Sequence, residues 1–304
     1  MSRVICLGDV MTDVHATLPG PLAIGSDTPS VVRMLPGGSA ANTACWLAAA
    51  GVPVAFVGRV GDDEPGRAAV AALREAGVEV AVTVDPHRPT GTCIVLVSDT
   101  GERTMIPDSG ANAALHPNDL PRDLFANAAH LHVSGYALLG ESESTRAAAL
   151  SAMRSARDRL VSVSVDAASA APIRAVGAYA FLDWVGQASP LFANADEATA
   201  LTGEPDPVAA AKALSVRCGQ TVVKCGAEGA IWARDGAATE VPTAPLRPTD
   251  TTGAGDAFAA GFLAARLGGI GPDLAISLGH RYAAQAVSQV GGRPGRTDPR
   301  ARAQ

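Results

Sequence analysis

Beyond residue 150 the chain alternates short apolar runs with longer helical segments, and this alternation admits few folds. Residues 142–159 carry a helical pattern and lead into the strand-like run 160–166, Leu-Val-Ser-Val-Ser-Val-Asp. Trp184 and Val185 together with 191–194 read as another strand, a helix spans 207–217, and 221–226 form the next strand. A last helix covers about 274–290. Strands joined through helices lie parallel, because the helix carries the chain back to the edge it left. The expected core is α/β: a mostly parallel central sheet with helices on both faces. Ligands of such sheets bind beyond the carboxyl ends of the strands.

Two segments break the rhythm. Residues 14–35 lack helical periodicity and hold Pro19, Gly20, Pro21 and Pro29 beside β-prone pieces such as 30–34. Residues 90–107 read as a hairpin, with strands at 92–97 and 103–106 and a turn at Ser98-Asp99-Thr100-Gly101. The two segments are expected to form one small sheet over a cleft, a lid that keeps water from the reaction.

At 304 residues, 47% of them hydrophobic and 18% charged, the chain has ample length for a buried core. A net charge of −6 supplies no basic footprint for nucleic acid or an anionic membrane. Cys6, Cys45, Cys93, Cys218 and Cys225 are scattered without C-x-x-C spacing, so buried thiols in a reducing cytosol are expected rather than zinc or disulfides. No apolar run approaches membrane-spanning length, and residues 4–9 read as a strand rather than a signal peptide. The expected location is the cytoplasm.

The chemistry concentrates at 250–256, Asp-Thr-Thr-Gly-Ala-Gly-Asp, followed by the apolar helical run 257–263. Gly253 and Gly255 leave backbone N–H groups bare at a helix start, where unpaired amides and the dipole favour an anion. Asp256 falls in the first turn. A carboxylate beside a bound phosphate weakens affinity by repulsion, yet it is placed to take a proton from a hydroxyl attacking that phosphate. The pattern reads as phosphoryl transfer; taken alone it is equally that of a capped helix.

A second helix start, 36–44, reads Pro-Gly-Gly-Ser-Ala-Ala-Asn-Thr-Ala. Gly37 and Gly38 let amides approach a ligand, and Asn42 offers both a donor and an acceptor to hydroxyls. Asp9 and Asp13 lie near the end of the first strand, where a carboxylate accepts from neighbouring sugar hydroxyls.

Together these pieces resemble the ribokinase-like (PfkB) family of carbohydrate and nucleoside kinases over almost the whole chain. The resemblance rests on Gly37-Gly38-Ser39-Ala40-Ala41-Asn42 with Gly51, Gly58 and Gly61-Asp62-Asp63 behind it. It rests equally on Asn194-Ala195-Asp196-Glu197, an N-x-x-E motif, and on Asp250 through Asp256. It implies a ribokinase-like three-layer α/β/α core, one domain over 1–304, with the small β-sheet of about 14–35 and 90–107 as lid. It further implies ATP, Mg²⁺ and K⁺. Asp256 becomes the general base, and the amides of Gly253, Ala254 and Gly255 the anion hole. Asp13, Gly37, Gly38 and Asn42 hold the substrate. Asn194 and Glu197 position Mg²⁺ through water. Lys224, Gly226 and Gly229 line the nucleotide site, with His280 bordering the adenine. Asp250, Thr252 and Gly291 hold the monovalent cation. A homodimer through lid sheets is also implied.

Some residues depart from typical ribokinases. Ser39 stands where those enzymes have a lysine, and 131–136 lack the acidic residue that some use on the sugar. Arg33 and Arg103 in the lid either recognise a carboxylate or phosphate on the substrate or are solvated hairpin charges. His130 and His132 alternate along their strand and either touch ligand or are buried and satisfied.

No G-x-x-x-x-G-K-[ST], H-R-D or D-F-G occurs, which excludes P-loop and protein kinases. The leading expectation is a kinase transferring the γ-phosphate of ATP to a pentose, hexose or sugar acid. Small molecules, not nucleic acid or membrane, are the expected partners. A nucleoside kinase of adenosine, inosine or pseudouridine type stays open, although neither lid segment holds Phe, Tyr or Trp to stack on a base. A non-catalytic sensor on the same fold predicts loss of the base, whereas Asp256 and its loop are intact.

Overall fold

The computed structural model describes residues 3–98, 103–186 and 188–295. Its strands are β1 (Arg3–Leu7), β2 (Met11–Thr17), β3 (Val31–Gly37), β4 (Val54–Gly61), β5 (Glu79–Asp85), β6 (Gly91–Val97) and β7 (Arg103–Asp108). They continue with β8 (Ala128–Ser134), β9 (Ser162–Asp166), β10 (Leu191–Asn194), β11 (Gln220–Lys224), β12 (Ala230–Arg234) and β13 (Ala237–Val241). The large sheet runs β13-β12-β11-β10-β9-β8-β1-β4-β5. From β11 to β5 every pairing is parallel, and β12 and β13 add an antiparallel hairpin at one edge. The chain leaves β1 in opposite directions toward β4 and β8, which opens a crevice beyond its carboxyl end.

Period-two alternation divides β1 between two cores. Ile5 and Leu7 pack with helices Glu143–Asp158, Ala178–Val185 and Pro207–Cys218 on one face. Val4 and Cys6 pack with Ser39–Ala49, Glu64–Glu75, Ala254–Leu267 and Pro272–Val287 on the other. Each fully buried Ile, Leu or Phe removes about 1.5–3 kcal/mol worth of apolar surface from water. This is the expected three-layer α/β/α arrangement.

Trp184 and Val185 correct the sequence reading. They end the helix Ala178–Val185 rather than a strand, because the buried positions Phe181, Leu182 and Val185 recur at helical spacing.

The two irregular segments do join. β2 pairs antiparallel with β3 and parallel with β6, and β6 pairs antiparallel with β7, giving a separate four-stranded sheet β3-β2-β6-β7. Apart from Ser98, the expected turn at 98–101 lies outside the described residues. One face of this sheet buries Asp13, His15, Cys93 and Val95, while Val32, Met34, Ile94 and Ile106 lie exposed on the other. Arg33 and Arg103 are exposed. Among the described residues no helix is long and apolar enough to cross a membrane. All five cysteines are free, four of them buried and Cys225 half-buried.

Candidate active site

The strand ends deliver the polar side chains. Across the carboxyl edge, Ser134 of β8 stands beside Asp166 of β9, and Asn194 of β10 beside Lys224 of β11. Asp9 follows β1. Its carboxylate accepts from the backbone N–H of Ser39 (2.7 Å) and Ala40 (3.4 Å), capping helix Ser39–Ala49, whose own N-cap Gly38 has no side chain to do so.

Asp256 lies in the first turn of helix Ala254–Leu267 and faces the start of helix Ser39–Ala49. Ser39 Oγ donates to its Oδ1 at 2.8 Å, and Asn42 Nδ2 donates to its Oδ2 at 3.0 Å. Burial pushes this carboxyl up to about 7; the two hydrogen bonds hold it down, while the charges of Asp166 and Asp9 raise it further. Ser39, the departure from the ribokinase pattern, is thus a direct partner of Asp256. Gly253 caps the helix at φ 72°, and a Cβ there would strike the backbone of Gly292. Ala254 N–H donates within the loop to Thr251 O at 3.3 Å.

Lys224 leaves the loop that follows it. Its Nζ pairs with Asp166 Oδ2 at 2.8 Å and stands 3.0 Å from where a side chain on Gly255 would begin. Burial works against both charges, but each sustains the other: the Lys224 pKa is raised and that of Asp166 lowered. Gly226 and Gly229 form a short turn instead, and His280 packs edge-on to Phe258 at 5.4 Å with its ring beside the Gly229 backbone.

Asn194 and Glu197 form a reciprocal capping box on helix Ala195–Thr202, with bonds of 2.7, 2.7 and 2.8 Å between them. Burial, together with Asp166, lifts Glu197 to about 7 against the pull of Lys224. Among the described residues no three His, Cys, Asp or Glu side chains form a ready metal cage. A hydrated Mg²⁺ fits this site in another way: it would relieve the crowded negative charge of Glu197, Asp166 and Asp256.

Asp13 is buried on β2, and Gly37 gives its carboxylate room, since a Cβ at 37 would overlap it. Asp250, Thr252 and Gly291 also come together. Asp250 Oδ1 accepts from Thr252 N (2.8 Å) and Oγ1 (2.6 Å), and Oδ2 accepts from Gly291 N (2.9 Å). Those bonds overcome burial and keep its pKa low.

Four residues at the site escaped sequence reasoning. Asp166 was legible only as a strand end. His15, 1% exposed, lies between Asp13 (3.9 Å) and Asp250 (3.7 Å). Arg293 reaches Asn42 and the Gly37 carbonyl. Tyr136 sits within the field of Asp9, Asp256, Glu197 and Asp166. None belongs to a motif; position two beyond Asp13, on the same strand face, was the available signal for His15. By contrast, His130 and His132 are satisfied by Ser162 and Ser164, and burial lowers them to about 3 and about 4, so both are neutral structural groups.

A model of the pfkB family carbohydrate kinases matches residues 1–298. The chain belongs to the pfkB carbohydrate kinase family. It is 33% identical over 266 residues to the ATP-dependent ribose-1-phosphate kinase of Halopiger xanaduensis, covering 87% of this chain and 84% of that one. It is 31% identical over 307 residues to the 2-dehydro-3-deoxygluconokinase of Thermoproteus tenax, covering 99% and 93%. Among solved structures, the adenosine kinase of Sinorhizobium meliloti superposes with a TM-score of 0.87 at 27% identity, covering 96% of each chain. As a PfkB kinase the protein is a phosphotransferase with an alcohol group as acceptor, built on the ribokinase-like fold.

Proposed function

We propose that this PfkB kinase transfers the γ-phosphate of ATP to a hydroxyl of a pentose, hexose or sugar acid, with Asp256 as general base. The setting of Asp256 carries the reading. A carboxyl brought to about 7 by burial is matched to proton transfer near neutral pH, and two fixed donors aim it. ATP supplies the phosphoryl group, and Mg²⁺, when bound, would shield its charge. The amides of Gly253, Ala254 and Gly255 hold developing anionic charge at the helix start. Lys224, fixed against Gly255 by Asp166, adds a positive charge beside those amides. Glu197 and Asn194 would hold the metal, through water. Gly226, Gly229 and His280 line the nucleotide base. Asp13, Gly37, Gly38 and Asn42 orient the acceptor, and the four-stranded sheet acts as the lid that excludes water. The low pKa of Asp250 keeps it anionic for K⁺ beside Thr252 and Gly291.

One observation favours a nucleoside as acceptor. Tyr136, absent from the lid, is 39% exposed and lies within the fields of the site carboxylates, the aromatic ring nearest to hand for stacking on a base. The exposed apolar face of Val32, Met34, Ile94 and Ile106 supports a homodimer through this sheet.

The test is ATP-to-ADP turnover with Mg²⁺ and K⁺ against sugars, sugar acids, sugar phosphates and nucleosides, with Asp256→Asn as control. Turnover on a sugar or sugar acid that is lost in the variant supports the reading. Turnover on nucleosides alone replaces the substrate class. Activity that survives in Asp256→Asn overturns the base.

A further inference from the structure

Asn42 offers Asp256 a choice of two ends, and only one suits a carboxylate. Its NH₂ donates; its carbonyl oxygen would repel. An amide side chain does not settle that choice by shape, because oxygen and nitrogen are nearly isosteric. The neighbour on its other side does. Arg293 Nε donates to Asn42 Oδ1 at 3.3 Å, and its Nη2 donates to the Gly37 carbonyl at 3.0 Å. A guanidinium has five N–H donors and no acceptor, so the atom of Asn42 facing it must be the oxygen. The NH₂ is then left for Asp256 Oδ2 at 3.0 Å.

The loop carrying Arg293 is itself held. Trp46 Nε1 donates to the Gly292 carbonyl at 2.9 Å, Gly291 N–H donates to Asp250, and a side chain at 292 would stand 2.5 Å from Asn42 Nδ2. The guanidinium is thus anchored from two sides against a residue 251 positions away.

We infer that Arg293 is a positioning residue, which fixes the Asn42 carboxamide with its NH₂ toward Asp256. The inference rests on the reading of Asp256 as base. Charged and titratable groups whose fields reach Asp256 include Asp9 after β1, Tyr136 after β8, Asp166 on β9 and Lys224 on β11, while Arg293 itself faces Cys45 and Asp13. Arg293 acts on it through Asn42. With the arginine removed, the amide is free to turn its oxygen toward a protonated Asp256, whose O–H then donates to it. That second orientation stabilises the neutral acid and so disfavours its charged form.

The experiment is a double-mutant cycle of Arg293→Met with Asn42→Ala, read as kcat, KM and the pH dependence of kcat/KM on the panel's best acceptor. Arg293→Met alone is expected to lower kcat about 10-fold and to move the acid limb upward by about 0.5–1 pH unit. In the Asn42→Ala background the same change is expected to do neither. Losses that add independently, or a raised KM with the limb in place, overturn the inference. If Met at 293 abolishes the melting transition, Arg293→Lys, which keeps the charge without the planar fork, enters the same cycle and is read by the same limb. Asp256→Asn separates the two readings. Wild-type turnover in that variant removes the base and this inference with it; an inactive Asp256→Asn beside an unshifted Arg293→Met removes the inference alone.

Discussion

Lys224 and Asp166 face each other at 2.8 Å across the end of the intervening strand β10, and the lysine simultaneously covers Gly255 in the glycine loop. The pair ties the sheet edge to the start of helix Ala254–Leu267. Both side chains are largely buried, at 16% and 9% exposure, so neither charge has water as an alternative partner. Lys224→Met therefore strands a buried carboxylate, with an expected loss of about 3 kcal/mol in denaturant unfolding. Lys224→Met combined with Asp166→Asn should recover much of that stability without recovering turnover. Equal stability of Lys224→Met and wild type at pH 7 would show that the pair contributes nothing.

If Asp256 is the proton acceptor proposed above, Asp256→Asn should cut kcat at least about 10²-fold, with ATP affinity by isothermal titration nearly unchanged. On that reading the active form of the wild type is the carboxylate. Because burial brings this group to about 7, kcat/KM should fall as pH drops through that value and level off above it. A flat profile from pH 5 to 8 would rule out Asp256 as the titrating base.

The same burial has a stability consequence of opposite sense. The folded pKa is raised above the unfolded value, so the folded state binds the extra proton and stability declines as pH climbs from about 4 through about 7. Asn in place of Asp256 escapes this decline. At pH 8 the free Asp256→Asn protein should melt about 2–4 °C above wild type, with the difference fading toward pH 4. Parallel melting curves at both pH values would refute the assignment of buried charge.

Gly253 occupies φ 72° with the Gly292 backbone against it, so Gly253→Ala meets both strain and collision. A destabilisation of at least about 1–2 kcal/mol is expected, with a larger loss in turnover than in sugar binding, because the amides move and Asp13 does not. Unchanged kcat in a folded Gly253→Ala protein would argue against these amides as the anion hole.

On the small sheet, Met34 and Ile94 share an exposed face, at 68% and 43% exposure. If that face joins two copies, Met34→Glu with Ile94→Glu should convert a dimer into a monomer by light scattering at micromolar concentration. A monomeric wild type would remove the dimer from the reading.

Much of the architecture was legible from local pattern. Strand and helix periods place β1, β9, β10 and β11 of the large sheet but not β4, β5, β12 or β13, and the small sheet emerged from the two segments that broke the rhythm. Trp184 and Val185 were misread because a short apolar run suits either period; only the buried set Phe181, Leu182 and Val185 separates them. At the site, the glycine loop, Asn42 and the N-x-x-E motif were readable because each needs particular residue types at close spacing. Arg293 was not. Its contacts lie 251 and 256 residues upstream, and a lone arginine near a chain end has no local signature.

By itself, then, the sequence determined the layered α/β core, the helix start able to receive an anion, and the presence of a carboxylate beside it. Those follow from hydrophobic period, bare glycine amides and residue spacing, all of them local properties. Tertiary structure alone decided that Ser39 and Asn42 hold Asp256, that Lys224 turns from its own loop to Asp166, and which way the Asn42 amide faces. Those depend on burial and on partners brought together from more than 200 residues apart in the case of Asp256. A carboxylate's proton affinity is set by that assembled environment, not by its neighbours in the chain.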